Sequence, residues 1–178
     1  GGKGASLGEM PQAGIPVPPG FVVLASAFDR FLQETELNTE IAARLKEVNI
    51  KDTNSIDKAS AVIRDAIHDH AMPPDLSQEI LAAHKTLGAE YVAVRSSATA
   101  EDSAVASWAG ELETYLNTTK AEILENVKKC WSSLFTPRAI FYRHEKNLID
   151  HYVSVAVVIQ AMVQSEVSGV AFSVHPVT

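Results

Sequence analysis

From Ser26 to about Leu87 the apolar residues recur at helical spacing, and β-rich runs lie on either side of that stretch. A chain built this way has to combine helices with a sheet. Ala27, Phe28, Phe31 and Leu32 form one stripe, Ile41, Leu45 and Val48 a second, and Ile56, Ala59, Ile63 and Ile67 a third that must stop before Pro73-Pro74. Asp75 then reads as the cap of a fourth helix carrying Leu76, Ile80 and Leu81, closed by Gly88. Upstream, Gly1-Gly2-Lys3-Gly4-Ala5-Ser6-Leu7-Gly8 reads as a glycine-rich loop leading to a short helical piece that Gly14 ends. Ile15-Pro16-Val17-Pro18-Pro19 is a rigid extended connector into a short buried strand at Phe21–Leu24.

Downstream, Tyr91-Val92-Ala93-Val94 reads as a strand that empties into a small-polar loop, Arg95-Ser96-Ser97-Ala98-Thr99-Ala100-Glu101-Asp102. Thr119 with Glu122 makes a capping box for a helix using Ile123, Val127, Trp131 and Leu134, and Thr136-Pro137 starts another through Tyr142. Val153–Val163 and Ser168–Val174 read as two β-rich runs forming a hairpin or lying as neighbours. Two lobes are expected, residues 1–92 with the helical insertion and residues 93–178 with helices against a β-sheet. The opening on Gly1 and the close on Val174-His175-Pro176-Val177-Thr178 read as part of something longer.

Composition narrows the function classes. The chain has 178 residues with 46% hydrophobic and 21% charged, which is a globular balance. With 15 basic and 22 acidic side chains the net charge is −7, so no general pull toward nucleic acid or an anionic membrane is expected, and any phosphate must be bound locally. The single cysteine, Cys130, cannot close an internal disulfide, no signal-like segment is visible, and a cytoplasmic location is expected. Val153–Val163 is about half the length of a membrane span.

Phosphate binding needs close-approaching N–H donors and one or two cations aimed at one spot. Gly1-Gly2-Lys3-Gly4 is one candidate, although its order is not that of a P-loop and spacing alone favours a flexible turn with an exposed lysine. Arg95 is the other, at the end of a strand, where ligand groups are commonly presented; a surface arginine paired with Glu101 or Asp102 is the alternative. Ser96, Ser97 and Thr99 favour the ligand reading, as small hydroxyl residues that leave N–H groups open. Ser107-Trp108-Ala109-Gly110-Glu111 is a second loop able to close over phosphates as a lid. Glu101, Asp102, Glu111 and Glu113 lack the spacing of a metal site and read as solvated loop carboxylates. No zinc site is expected from the 6 dispersed histidines, no phosphohistidine role from His175, and Cys130 should pack rather than react.

Taken together, four segments in order resemble the N-terminal nucleotide-binding region of the phosphoenolpyruvate synthase and pyruvate phosphate dikinase family. They are residues 1–10 (Gly-Gly-Lys-Gly-Ala-Ser-Leu-Gly-Glu-Met), 14–21 (Gly-Ile-Pro-Val-Pro-Pro-Gly-Phe), 93–102 (Ala-Val-Arg-Ser-Ser-Ala-Thr-Ala-Glu-Asp) and 107–117 (Ser-Trp-Ala-Gly-Glu-Leu-Glu-Thr-Tyr-Leu-Asn). Residues 133–139 and 168–174 resemble later blocks of the same family.

The resemblance implies an α+β fold: the N-terminal part of an ATP-grasp domain, a mixed or antiparallel sheet with helices, ending before the C-terminal lobe. It implies that Lys3 and Arg95 act on the phosphates of ATP, that Gly110 and Thr114 lie on the loop bordering them, and that Gln160 and Met162 lie on the strand bordering the adenine. Mg²⁺ is implied as well, with its ligands outside this chain. Family members pass the β-phosphoryl group of ATP to a histidine on another domain and then to pyruvate, giving phosphoenolpyruvate, AMP and phosphate. A chain of this extent is expected to bind ATP weakly or not at all and to catalyse nothing complete. Rifampin phosphotransferase, pyruvate phosphate dikinase and a non-catalytic nucleotide-binding module are the alternatives. Ser107-Trp108-Ala109-Gly110-Glu111 stands where phosphoenolpyruvate synthases and rifampin phosphotransferases commonly show Ser-Phe-Ala-Gly-Gln.

Overall fold

The computed structural model describes residues 2–98, 112–146 and 153–170, with the side chains of residues 2 and 3 outside that description. The order is α1 (Gly2–Gln12), β1 (Gly20–Val23), α2 (Ala25–Glu34), α3 (Leu37–Lys46), α4 (Thr53–Asp69), α5 (Pro74–Leu87), β2 (Val92–Ala98), β3 (Thr114–Thr118), α6 (Ile123–Ser132), a 3₁₀ turn (Ser133–Phe135), α7 (Pro137–Glu145) and β4 (Val155–Ala161). The strands form one antiparallel sheet in the order β1-β4-β2-β3. The fold is therefore mixed α and β.

One sheet face is the core. Val92 and Val94 of β2 and Val155, Val157 and Ile159 of β4 alternate onto it, as the two-residue strand period requires, and are wholly buried. Helices α2 and α6 cover that face. Trp131 of α6 packs at 5.4 Å from Phe28 and 5.1 Å from Phe31 of α2, ring centre to ring centre, so aromatic contacts join the two helices that cover the sheet. Ile56, Ile63 and Ile67 of α4 extend the core behind α6.

Several ends form as their chemistry dictates. The Asp52 carboxylate accepts from Asn54 N–H at the start of α4, and Thr136 Oγ1 accepts from Ala139 N–H at the start of α7, with Pro137 in the first turn. The expected Thr119–Glu122 capping box forms on one side only: Glu122, the residue before α6, accepts from Thr119 N–H and hydroxyl, but no side chain caps the helix itself. Gly14 (φ +76°) and Gly88 (φ +67°) take the left-handed conformation that ends α1 and α5, and after α1 the bonds Gly14 N–H to Pro11 O and Ile15 N–H to Met10 O complete a Schellman motif.

Five expectations are corrected. The glycine-rich opening is helix from Gly2 onward rather than loop, because packing of α1 against β2 and β4 outweighs the low helix propensity of its glycines; at Gly4 a Cβ would make only ordinary contacts, 3.9 Å from both Val158 and Val22. Pro73 rather than Asp75 is the cap of α5, and Asp75 lies inside the first turn, after Pro74, where it accepts a two-pronged bond from Arg30 at 2.6 and 3.0 Å. β2 continues through Arg95, Ser96, Ser97 and Ala98, since β4 pairs with it along that whole length. Thr114 lies in a strand, not a loop. Finally, β4 has β1 on one edge and β2 on the other, so no hairpin partner can add to it; residues 162–170 are irregular, and 171–174 lie outside the described residues. No helix among the described residues is long and apolar enough to cross a membrane.

Candidate nucleotide site

The second sheet face carries the candidate site. Residues directly opposite in an antiparallel pair project to the same side. One row across the sheet runs Val22, Val158, Arg95, Thr114, and a neighbouring row runs Gly20, Gln160, Ala93. Helix α1 packs over this face against β2 and β4. Between helix and sheet is a cavity of about 150 Å³ whose lining includes Gly4, Leu7, Gly8, Gly20, Val158 and Gln160.

Residue 3 belongs to the turn of α1 that crosses Val158, and Val158 is the register neighbour of Arg95. The fold thus brings the backbone of Lys3 and the half-buried Arg95 to one side of the sheet, although 92 positions separate them in the chain. Arg30, Arg44 and Arg64 each hold carboxylates, whereas the Arg95 guanidinium makes no hydrogen bond or ion pair among the described residues. Ser97, two residues further along the same face, is wholly buried with its hydroxyl unpartnered among the described residues. A half-buried cation beside an unsatisfied hydroxyl is suited to an oxyanion, because desolvation strengthens the charge-assisted bond.

Thr114 is exposed at the start of β3, directly opposite Arg95. Gln160 is buried, its Nε2 donates to Pro18 O at 3.1 Å, and its place between Gly20 and Ala93 ties the proline connector to the sheet. Met162 follows β4, half-buried, with its N–H donating to Tyr91 O. Gly110, the remaining site residue expected from the sequence, lies outside the described residues, as do Thr99, Glu101, Asp102, Glu111, His175 and the whole 107–111 loop. Among the described residues no group of three or more His, Cys, Asp or Glu is placed to hold a metal ion.

The whole chain, residues 1–178, matches the family described as pyruvate phosphate dikinase, AMP/ATP-binding domain. The chain belongs to that family. As an AMP/ATP-binding domain it has many longer relatives. It is 48% identical to a probable phosphoenolpyruvate synthase of Methanothermobacter thermautotrophicus, 52% to one of Archaeoglobus fulgidus and 47% to a phosphoenolpyruvate synthase of Aeropyrum pernix, in each case over 100% of this chain. It spans only 27%, 24% and 23% of those three proteins, about a quarter of their length.

Two residues of this AMP/ATP-binding domain stand otherwise than their sequence context suggests. Ser96 faces the core, not the Arg95 side, and its N–H is not open to a ligand: both N–H and Oγ donate to Glu113 O, at 3.3 and 2.6 Å. Glu113 is not a solvated loop carboxylate. Arg64 Nη2 from α4 donates to its two oxygens at 3.2 and 3.1 Å, and the Tyr115 hydroxyl donates to Oε2. Burial and that bond to Glu113 push the Tyr115 phenol above its ordinary range. A spacing of 49 residues between Arg64 and Glu113 leaves no local signal in the sequence. Cys130 is wholly buried, with Sγ toward Val94 O and Glu113 O, and packs as expected.

Proposed function

We propose that this domain is the ATP-handling lobe of an ATP-grasp phosphotransferase of the phosphoenolpyruvate synthase type. In this reading the β-phosphoryl group of ATP passes to a histidine on another domain and from there to pyruvate, yielding phosphoenolpyruvate, AMP and phosphate. The observation that carries it is Arg95: a half-buried guanidinium with no partner among the described residues, on the sheet face that α1 crosses at Lys3. The names and identities of the relatives support the reaction class.

Lys3 and Arg95 neutralise charge on the phosphoryl oxygens, which is the main protein contribution to such transfers. Thr114 and Gly110 border the phosphates, and the β4 segment with Gln160 and Met162 borders the adenine. Mg²⁺ supplies further charge neutralisation when bound, through ligands outside this chain. The two-lobe division at residues 92 and 93 and a cytoplasmic setting belong to the same proposal. The test is product analysis of the intact protein with Mg-ATP and pyruvate. AMP, phosphate and phosphoenolpyruvate formed in equal amounts, with no turnover when pyruvate is omitted, is the expected result. ADP as the product, or ATP turnover without pyruvate, would contradict it.

A further inference from the structure

Glu113 lies on the sheet face opposite Thr114 and Arg95, so its carboxylate cannot touch a ligand held on their side. It is nevertheless the most heavily tethered residue of its strand end. Its carbonyl accepts from Ser96 N–H and Oγ, and its carboxylate accepts from Arg64 of α4 and from Tyr115. Lys129 of α6 stands 5.6 Å from the centre of the Tyr115 ring and closes the cluster from the other helix.

The strand that needs this tether is weakly held. Among the described residues β3 is an edge strand of five residues paired only with β2, and its register slips between Val92 and Val94, where Asn117 takes φ +51°. Upstream of that irregularity only two register pairs remain, Val94 with Tyr115 and Arg95 with Thr114. An exposed edge of this kind has little to hold Thr114 at a fixed distance from Arg95 unless something pins it from behind.

We propose that Glu113, gripped by Arg64 and Tyr115, is a positioning residue that sets Thr114 beside Arg95 for the phosphate oxygens of a bound nucleotide. This rests on the phosphate reading of the Arg95 face given above. The side chains of Arg64 and Glu113 are 25% and 32% exposed, so their ion pair contributes modestly to stability, and its loss registers in ligand geometry rather than in folding.

The experiment is titration of the intact protein with Mg-ATP, with thermal unfolding measured alongside, for Arg95→Ala, Glu113→Gln, Arg64→Met and the Arg64→Met/Glu113→Gln pair. Arg95→Ala reports on the phosphate reading itself. The expected result is weaker binding in all four, about tenfold for Glu113→Gln and for Arg64→Met with little change in unfolding midpoint, and a pair no weaker than either single change. If Arg95→Ala weakens binding while Glu113→Gln and Arg64→Met bind like the parent, the clamp is wrong and the phosphate reading stands. If Arg95→Ala binds like the parent, the phosphate reading falls and takes the clamp with it. Should Glu113→Gln fail to fold, Arg64→Met alone decides by the same comparison.

Discussion

At the scale of single residues, Gly20 shows how closely the site depends on backbone approach. A Cβ at Gly20 would lie 2.5 Å from Ile159 O and 3.0 Å from Gln160 Cα, and neither atom belongs to a flexible side chain that could swing away. Gly20→Ala is therefore expected to push β1 from β4 and lower stability by about 1–3 kcal/mol, the usual cost of overpacking. Urea denaturation checks this, and an unchanged midpoint would mean that the two strands are not so close. The same displacement moves Gln160, whose side chain anchors Pro18. Arg143 illustrates a different pressure, since burial pushes its guanidinium down to about 10.

At the scale of elements, α2, α3 and α4 were readable because each is a stripe of apolar residues at helical spacing, and those stripes are the faces now buried. Capping chemistry made the start of α7 legible for the same local reason. β3 and the second half of β2 were not. Arg-Ser-Ser-Ala has turn-like composition, and its extended conformation comes from pairing with a strand some 60 positions later, which no local pattern encodes. The glycine-rich opening misled in the opposite direction, since packing of α1 against β2 and β4 overrides the low helix propensity of its glycines. In the candidate site, residue type alone nominates Lys3 and Arg95, while Ser97, unpartnered among the described residues, and the Arg64–Glu113 pair emerge only once the sheet is assembled.

The joint between α4 and α6 carries a pH dependence of its own. His68 bonds Ser132 Oγ at 2.9 Å, and burial, which outweighs the pull of Glu125, lowers its pKa below the ordinary 6.5; Arg64, Lys128 and Lys129 push the same way. A histidine held neutral in the folded state binds fewer protons there than in the unfolded chain. Its contribution is complete above pH 6.5 and is lost as the pH falls through the lowered folded value. Unfolding free energy measured between pH 7.5 and 5, steps on the order of the titration range, should fall more steeply for the parent than for His68→Gln. Parallel curves would show that His68 is not held neutral.

At the scale of the whole molecule, the sheet gathers strands from residues 20–23, 92–98, 114–118 and 155–161, and α1 from the chain's beginning closes over the face they create. With a net charge of −7, the domain attracts no nucleotide by its overall field, so affinity must come from cations concentrated at one place. The central claim is that residues 3 and 95 supply them together. Its most direct test is a double-mutant cycle on Mg-ATP affinity in the intact protein, using Lys3→Ala, Arg95→Ala and both. Each single change should cost about 1.5–3 kcal/mol, tenfold or more in affinity, and the pair should cost less than the sum because both cations serve one phosphate chain. Full affinity retained in both single variants would contradict the account.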